Sequence, residues 1–598
     1  MPWSKVGTTA LATILALSVG AVSGHVQWGI WAFAGAFTSF YVADQPYRRR
    51  AAVLFWVMLG MAAAEVVGAA ATLWWLSALV LAAAGYAATY LAGRYELRLP
   101  AGFMFLLVAC ISSAVPSVAQ TPERVAFVLV GGAMAWIIGM STWLVEPAGP
   151  EIRLMRTAYD SLAAFLGAIG TPRRMERQEE AASRLRAATE AVRAMRQGPE
   201  PMRRRLAFMA ARGEAIFLSA VALAAERDRP LVAPWAPYMR RLGTLADPAA
   251  PPPPPSPQQQ GSALERAFAS VVAETAAAFR EGEVPRHDRA SDPDGRAPGI
   301  DRTPPFLTTA SLRNGIAIGV AVVAAHLVGI THPYWAPLTV AAVLQGHTVE
   351  TQTQRAVERV VGSLAGVGLT AALIAALHPS VWLSLALVVV LQALMRILLV
   401  KNYGLAVAPM TAFALLLVRA SKPVPAPTLE LPRLWDTLIG VALALAATYL
   451  LWARASSRKL PRVLSQTLAD EADMFARVAR RPAGGPSVEA AHLEAGLARL
   501  EAVAKDALSE VPPSRTGQRL LPSVEAAERL GYALIAADGG AIDVAADDAV
   551  LRQAEHVFDT LADTVRGADE APMPDVSDLP DIGPVGRELR TLAKSLNP

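Results

Sequence analysis

The stretch Val381–Val400, VWLSLALVVVLQALMRILLV, contains a single charged residue, Arg396. A helix needs about 20 predominantly apolar residues to cross the hydrocarbon core of a bilayer. This run is apolar on all sides, whereas a surface helix of a soluble protein carries one apolar stripe. The stretch therefore predicts a transmembrane helix.

Similar runs occur in two groups along the chain. They cover 7–23, 26–42, 51–71, 73–92, 101–118 and 125–145 in the first group, and 313–330, 334–346, 357–377, 380–400, 404–418 and 434–453 in the second. Of the 598 residues, 53% are hydrophobic and 18% are charged, against about 45–50% and about 25% in soluble domains. We predict an all-α, polytopic membrane protein with two bundles of about six transmembrane helices each.

Polar sequence follows each group of apolar runs. The stretch EEAASRLRAATEAVRAMR at 179–196 repeats Ala, Leu and Arg with helical spacing, and Pro251–Pro255 marks a spacer. We therefore predict four regions. They are a first transmembrane bundle at 1–145, a cytoplasmic helical domain with a Pro-rich linker at 146–312, a second transmembrane bundle at 313–453 and a C-terminal cytoplasmic helical domain at 454–598.

The basic residues orient the bundles, because cytoplasmic loops carry an excess of Lys and Arg. With the N-terminus in the cytoplasm, the short cytoplasmic loops hold Arg48, Arg49, Arg50, Arg94, Arg98, Arg355, Arg359, Arg396 and Lys401. The periplasmic loops then hold Arg124, Arg419, Lys422 and Arg433. We predict a multi-pass protein of a bacterial inner (plasma) membrane with both termini in the cytoplasm.

The two bundles are related by an internal repeat. A shift of 307 residues without gaps brings His25 onto His332, Trp28 onto Trp335 and Arg48 onto Arg355, among other matches. An even number of spans in each half makes the repeats parallel, which is typical of transporters with a pathway between two halves. Ancestral duplication without a functional axis remains the alternative.

The stretch His332–Leu373, HPYWAPLTVAAVLQGHTVETQTQRAVERVVGSLAGVGLTAAL, resembles the fusaric acid resistance and aromatic acid exporter family. The resemblance rests on Tyr334-Trp335, Gln345, Arg355, and Arg359 with the glycines of 362–366. Ser stands at 363 where the family usually has Thr, and Gly follows Gln345 where it often has Pro. The motif covers this stretch, whereas the order bundle, domain, bundle and tail covers the whole chain.

The resemblance implies export of aromatic carboxylic acids or related compounds, often with a periplasmic membrane-fusion adaptor protein. It also implies a distant similarity to aluminium-activated malate transporters, in which six-helix bundles pair to form an anion channel. The expected partners are thus a small organic anion, the lipid bilayer and such an adaptor. A homo-oligomer remains open.

The basic residues of the second bundle suggest an anion pathway. Arg355, Arg359, Gly362 and Gly366 follow one another at spacings of four, three and four, which places them on one helix face. Guanidinium groups match carboxylates and stay charged at any working pH, and a Gly-x-x-x-Gly surface lets another helix approach closely. With Arg48 in the first half, they predict a cationic vestibule. The alternative is that these residues only fix topology and reach to lipid.

The short run 334–346 is the second candidate for a substrate site. It contains Pro337, and Gln345 and His347 lie at its end. A short, Pro-interrupted segment at matching positions of two repeats points to a binding site. Trp28 and Trp335 would stack on an aromatic ring there, or else anchor the helices at the membrane interface.

Three ionisable residues are candidates for coupling or charge balance. Glu65 lies well inside an apolar run, where a carboxyl can carry protons. His326 also lies in a span and titrates near neutral pH in water. Structural roles are the alternative for both. Glu358 is the expected partner of one of the vestibule arginines.

The sequence carries no recognisable enzyme motif. Gly-Lys, which ends the phosphate-binding loop of ATPases, is absent, as are the His-Glu-x-x-His and Gly-x-Ser-x-Gly patterns. The single cysteine, Cys110, excludes a cysteine metal cluster. We expect no enzyme activity, cofactor, metal or nucleic-acid partner. The leading hypothesis is export of organic acids driven by the proton gradient, ahead of a passive anion channel or a non-transporting envelope protein.

Overall fold

The computed structural model describes most of the chain. The described residues are 3–42, 45–95, 97, 100–114, 117–195, 200–226, 235–244, 263–281, 307–329, 334–346, 349–399, 401–421, 427–450, 457–480, 488–508, 514–539, 544, 548–566 and 582–596. Every regular element among these residues is a helix.

Each membrane bundle contains six helices at the positions predicted from the apolar runs. The first consists of α1 (Trp3–Ser23), α2 (Val26–Ala36), α3 (Tyr47–Ala69), α4 (Trp74–Arg94), α5 (Phe103–Ala114) and α6 (Thr121–Met140), with a 3-10 turn at Phe37–Tyr41 after α2. The polar segment that follows contains α7 (Gly149–Ala168), α8 (Arg174–Arg193), α9 (Glu200–Glu226), α10 (Trp235–Thr244) and α11 (Ala263–Glu281).

The second bundle repeats the plan of the first. It consists of α12 (Leu307–Leu327), α13 (Trp335–Leu344), α14 (Val349–Leu377), α15 (Val381–Leu399), α16 (Tyr403–Ser421) and α17 (Pro427–Leu450). The second helix is short in both halves, with 11 residues in α2 and 10 in α13. The tail contains α18 (Leu460–Arg480), α19 (Val488–Leu508), α20 (Arg515–Asp538), α21 (Asp548–Arg566) and α22 (Gly583–Leu596).

Within the described residues, 10 helices are long and apolar enough to cross a membrane. One of them, α9, lies in the helical segment outside the bundles, and 67% of its apolar window is buried there. The others are α1, α3, α4, α6, α12, α14, α15, α16 and α17. The predicted fold class, an all-α multi-pass membrane protein, is confirmed.

The two bundles pack through matching helices. α1 contacts α15, while α12 contacts α4. In the same way α2 contacts α16, and α13 contacts α5. Hydrogen bonds join both long pairs, from Thr13 Oγ1 to Gln392 Oε1 (2.5 Å) and from Asn314 Nδ2 to Thr89 Oγ1 (3.2 Å). Under the predicted repeat, α1 corresponds to α12 and α4 to α15, so the first two contacts are equivalent. In the same way α2 corresponds to α13 and α5 to α16, so the last two contacts are equivalent.

The polar segments form one helical body rather than two separate cores. Buried side chains of α7–α11 and of α18–α22 belong to a single hydrophobic cluster. Arg186 of α8 also pairs with Glu494 of α19, at 2.8 Å between Nε and Oε1. Both bundles therefore end, through α6 and α17, at the same helical body.

Candidate functional site

Arg355 and Arg359 of α14 lie inside the second bundle. Arg359 is 3% exposed, and its Nη1 lies 3.5 Å from the sulfur of Met410. Arg355 is half-buried, and its guanidinium carbon lies 5.1 Å from the ring centre of Tyr403. Both side chains thus turn toward neighbouring helices rather than toward lipid, as the vestibule hypothesis requires.

The two glycines of the motif face α16. A Cβ atom on Gly362 would lie 2.6 Å from Val407 Cβ, and one on Gly366 would lie 2.6 Å from the carbonyl oxygen of Ala408. Any side chain at these positions would push α16 away from α14. The placement agrees with the predicted role of Gly362 and Gly366 in helix packing.

Arg433 and Asp436 of α17 are buried inside the same bundle, and the sequence interpretation missed both as site residues. Arg433 is 2% exposed and Asp436 is 0% exposed. The guanidinium carbon of Arg433 lies 4.3 Å from the ring centre of Trp335. Assignment of Arg433 to a periplasmic loop was wrong, because α17 begins at Pro427, before this residue.

Arg359, Arg433 and Asp436 form, with the rings of Tyr334, Trp335 and Tyr403, what we call the arginine cluster. Arg359, Asp436, Tyr334 and Tyr403 all lie close enough to Arg433 to interact with it electrostatically. The cluster therefore combines Tyr334, which precedes α13, with residues of α13, α14, α16 and α17.

Several polar atoms of the arginine cluster are buried without a hydrogen-bond partner in the described part of the chain. They are Nε of Arg359, Nε and Nη1 of Arg433, both carboxyl oxygens of Asp436 and the hydroxyl of Tyr403. Buried polar groups in proteins are almost always paired with protein, water or ligand. These unpaired donors and acceptors in one cluster indicate a site for a polar ligand or water.

The short helix α13 supplies one wall of the cluster. All ten of its residues are buried, and Trp335 is 7% exposed. Trp335 is therefore not an interface anchor. Its other role, stacking on an aromatic ring of the substrate, remains a prediction. At the other end of α13, Gln345 Nε2 donates to the carbonyl oxygen of Pro100 (2.9 Å), so this side chain joins the two halves. His347 lies outside the described residues.

In the first half, Arg50 rather than Arg48 faces inward. Arg48 is exposed, whereas Arg50 is 4% exposed and donates to the carbonyl oxygen of Gly139 (3.3 Å). The predicted place of Arg48 in an inner vestibule is wrong in this structure. Two residues along a helix rotate a side chain by about 200°, so the sequence could not distinguish the two without the helix contacts.

Glu65 is buried in an ion pair. It is 5% exposed and lies 3.8 Å from Nη1 of Arg124, which is 4% exposed. Ser112 Oγ donates to Glu65 Oε1 (3.0 Å), and Arg124 Nη2 donates to Gln120 Oε1 (3.0 Å). Arg124 therefore lies buried in the first turn of α6, and its predicted place in a loop was wrong.

Two further candidates, Trp28 and His326, contact neighbouring side chains rather than a central site. Trp28 stacks on Phe127 with ring centres 4.8 Å apart, and its Nε1 donates to Glu123 (2.6 Å). His326 is exposed near the end of α12, within its candidate span, and stacks on Trp74 at 4.6 Å.

Glu358, the expected partner of an arginine, instead accepts hydrogen bonds from the side chains of Gln354 (2.8 Å) and Asn402 (3.4 Å). The charge of the arginine cluster is therefore not balanced by this residue.

The interface between the halves, where a pathway was predicted, is packed with aromatic side chains. Phe33 of α2 contacts Phe37 (4.8 Å between ring centres) and Phe413 of α16 (6.4 Å). Arg396 of α15 lies over the ring of Phe40 at 4.4 Å. The arginine cluster thus lies within the second bundle and not on the predicted axis.

Comparison with known proteins supports the resemblance. Residues 320–447 match the family model described as "Fusaric acid resistance protein-like", and this range contains all three charged residues of the arginine cluster. The chain is 28% identical over 550 residues to "Uncharacterized membrane protein YvaC" of Bacillus subtilis (strain 168), over 90% of this chain and 85% of that protein. No solved structure matches. The predicted resemblance to the fusaric acid resistance family is confirmed.

Proposed function

We propose that this membrane transporter, related to the fusaric acid resistance family, exports small organic anions and prefers aromatic carboxylates. One observation carries the proposal: the arginine cluster holds two buried guanidinium groups whose hydrogen-bonding capacity is partly unused in the described residues. A guanidinium group presents a planar fork of N–H donors that matches a carboxylate.

The charge of the cluster favours an anion over a cation or a neutral solute. Arg359 and Arg433 carry two positive charges against at most one negative charge on Asp436. Arginine cannot relieve this excess by losing its proton under working conditions. Buried charges in membrane proteins are paired with a counter-charge or exposed to water. An organic carboxylate would supply the missing negative charge.

The rings around the cluster favour an aromatic substrate. Trp335 lies over Arg433, and Tyr334 lies 5.1 Å from Trp335 between ring centres. Aromatic pairs contribute about 0.5–1.5 kcal/mol beyond their apolar burial. A benzoate-like anion could therefore place its carboxylate on a guanidinium group and its ring against Trp335.

The direction of transport follows from the predicted orientation. The helical body joins both bundles at the ends that carry the short basic loops, and basic loops favour the cytoplasm. Arg355 lies at this end of α14 and Arg433 lies toward the other end of α17, so anions from the cytoplasm of a bacterial cell would pass Arg355 first on their way across its inner membrane, with both termini cytoplasmic. A periplasmic adaptor and a homo-oligomer remain predictions.

Flux measurements in proteoliposomes test the proposal. Efflux of radiolabelled benzoate from vesicles should saturate with concentration, and Arg433→Gln should reduce it more than about tenfold, because loss of one partner of a buried charge pair costs about 2–5 kcal/mol. Arg94→Gln, at an exposed arginine of the first bundle, is the matched control. Normal benzoate efflux by correctly folded Arg433→Gln would contradict the proposal.

The same vesicles separate an exporter from a passive channel. A channel would carry current that follows voltage without saturation, whereas an exporter coupled to protons would respond to an imposed pH difference. Absence of flux for every anion, in protein that is folded, would favour a non-transporting envelope protein.

Selectivity tests the aromatic part of the proposal. Trp335→Leu should lower the preference for benzoate over cyclohexanecarboxylate by about two- to tenfold, as expected for loss of one aromatic contact. Trp28→Leu is the control, since Trp28 contacts Phe127 and Glu123 instead. An equal loss of preference in both variants would show that Trp335 does not contact the substrate ring.

A further inference from the structure

We propose that Asp436 is a proton site linked to the anion site: it pairs electrostatically with Arg433 when the site is empty and holds a proton when an organic anion is bound. This inference rests on the proposed function. It gives the transporter a coupling residue that is distinct from Glu65 and His326.

The position of Asp436 supports this role. It lies three residues after Arg433 in α17, so both side chains share one helix face. It is 0% exposed, and neither carboxyl oxygen has a hydrogen-bond partner among the described residues. Glu65, in contrast, has both Arg124 and Ser112 as partners.

The charged and titratable groups near Asp436 come from several helices. Arg433 acts on it from the same helix, and Tyr334 acts on it from the start of α13. Arg359 of α14 and Tyr403 of α16 interact electrostatically with Arg433. α12 also packs against α17, but its charged residues are not among the groups that act on Asp436.

Electrostatics sets the sign of the coupling. A second carboxylate close to an ionised Asp436 repels it strongly in an interior of low dielectric. Bound anion therefore favours the protonated form of Asp436, and the proton comes from the water on the side from which the anion entered. By reciprocity, the protonated form binds the anion more tightly.

The sign has a consequence for transport. Because anion and proton bind together and leave together, they cross in the same direction and no covalent bond changes. An acidic exterior then slows export. The driving force is the concentration gradient of the organic acid, from the inside to the outside of the cell. This differs from the expected export driven by an acidic exterior.

Proton uptake on binding is the direct test. Benzoate, which is fully ionised between pH 6 and pH 9, is titrated into the purified full-length protein in nanodiscs. Calorimetry in buffers of different ionisation enthalpy counts the protons taken up. The wild type should take up as much as one proton per benzoate, and its affinity should fall by up to about tenfold per pH unit above the titration of Asp436.

The variants decide between sites. Asp436→Asn should bind benzoate with an affinity that no longer changes with pH and with no proton uptake, whereas Asp436→Glu should restore both. Glu65→Gln, which removes the buried carboxyl of the first half, is the matched control and should keep the proton uptake of the wild type.

The outcomes separate this inference from the proposed function. Proton uptake that persists in folded Asp436→Asn, or that disappears in Glu65→Gln, would overturn the inference while leaving anion transport intact. Failure of the wild type to bind benzoate or any other organic anion would overturn both. If Arg433→Gln loses benzoate binding while Asp436→Asn still takes up a proton on binding, the anion site is supported and Asp436 is not its proton site.

Discussion

The two halves of the membrane region each bury an arginine near the start of their last helix, but they differ in how that arginine is paired. In the first half, Arg124 lies 3.8 Å from Glu65 and 5.5 Å from the ring centre of Trp31. In the second half, Arg433 lies over Trp335, and Asp436 has no hydrogen-bond partner in the described residues.

The difference indicates a division of labour between two similar folds. A carboxylate that is paired within the protein, as Glu65 is with Arg124 and Ser112, holds helices together and leaves little of the arginine's charge for a ligand. A cluster with excess positive charge and open donors can accept an anion. We infer that the first half stabilises the assembly and that the second half binds substrate.

The largest expected effect on stability comes from the first half. Arg124→Met leaves Glu65 buried without its counter-charge and should lower the free energy of unfolding by about 3–5 kcal/mol. The double variant Arg124→Met/Glu65→Met should recover most of this loss, because both charges are gone. Thermal unfolding followed by tryptophan fluorescence measures the effect.

Flux per folded molecule then checks the division of labour. Arg124→Met should retain benzoate efflux after correction for folded protein, in contrast to Arg433→Gln. If Arg124→Met folds normally and loses efflux, the first half also binds substrate and the comparison fails.

Helix packing provides a smaller effect, at glycine contacts that the two halves share. In the first half, a Cβ on Gly131 of α6 would lie 1.8 Å from the carbonyl oxygen of Ala32 in α2. In the second half, the close glycine contact of the family motif joins α14 to α16 through Gly362. The equivalent pairs also meet at glycines, since a Cβ on Gly440 of α17 would lie 2.7 Å from the carbonyl oxygen of Ala336 in α13, and one on Gly68 of α3 would lie 2.3 Å from that of Ala109 in α5. Both halves thus use glycines at the same two helix pairs.

Gly362→Ala should lower the free energy of unfolding by about 1–3 kcal/mol, as expected for overpacking. Gly368→Ala is the control on the same helix, since nothing lies within 4 Å of a Cβ at that position. Thermal unfolding of the two variants side by side gives the result. Equal stability of the two variants would mean that close packing of α16 on α14 at Gly362 does not stabilise the protein.

The sequence predicted the helices of both bundles because span length and apolar content are local properties. The run at 357–377, for example, became the inner part of α14, which extends from Val349 to Leu377. The short helices were also predicted, since α2 and α13 lie within the runs 26–42 and 334–346.

The site was predicted less well, because hydropathy places charged residues outside membranes. Arg124 and Arg433 were assigned to loops for this reason, although each is buried in a helix. One signal could have located the second: Arg433 and Asp436 stand one helical turn apart, directly at the start of the run 434–453. The face of a helix that turns inward depends on tertiary contacts, so Arg48 and Arg50 could not be told apart.

The segments that follow the two halves meet in a cluster of carboxyl groups. Lys505 Nζ of α19 lies 3.5 Å from Glu179 Oε2 of α8, and Lys505 also pairs with Glu501. Burial, a hydrogen bond with Glu501 and the charge of Glu528 raise the pKa of Glu179 to about 9. Burial and the charge of Glu501 raise the pKa of Glu528 in α20 to about 7.

These shifts predict a modest pH effect on the contact between the two segments. A carboxyl whose pKa is raised from 4.5 to about 9 holds its proton more tightly in the folded than in the unfolded state, so its contribution to stability is full below pH 4.5 and is lost as pH rises toward 9. Amide hydrogen exchange in α8 and α20 of the full-length protein, corrected for intrinsic rates, should therefore become faster between pH 6 and pH 9. Glu179→Gln, which resembles the protonated form, should flatten this dependence. Glu180→Gln changes the neighbouring residue, which pairs with Arg177 at 2.7 Å, and should leave the dependence as in the wild type. Exchange that slows as pH rises would show that the carboxyl groups are ionised in the folded protein and that Lys505 governs the contact instead.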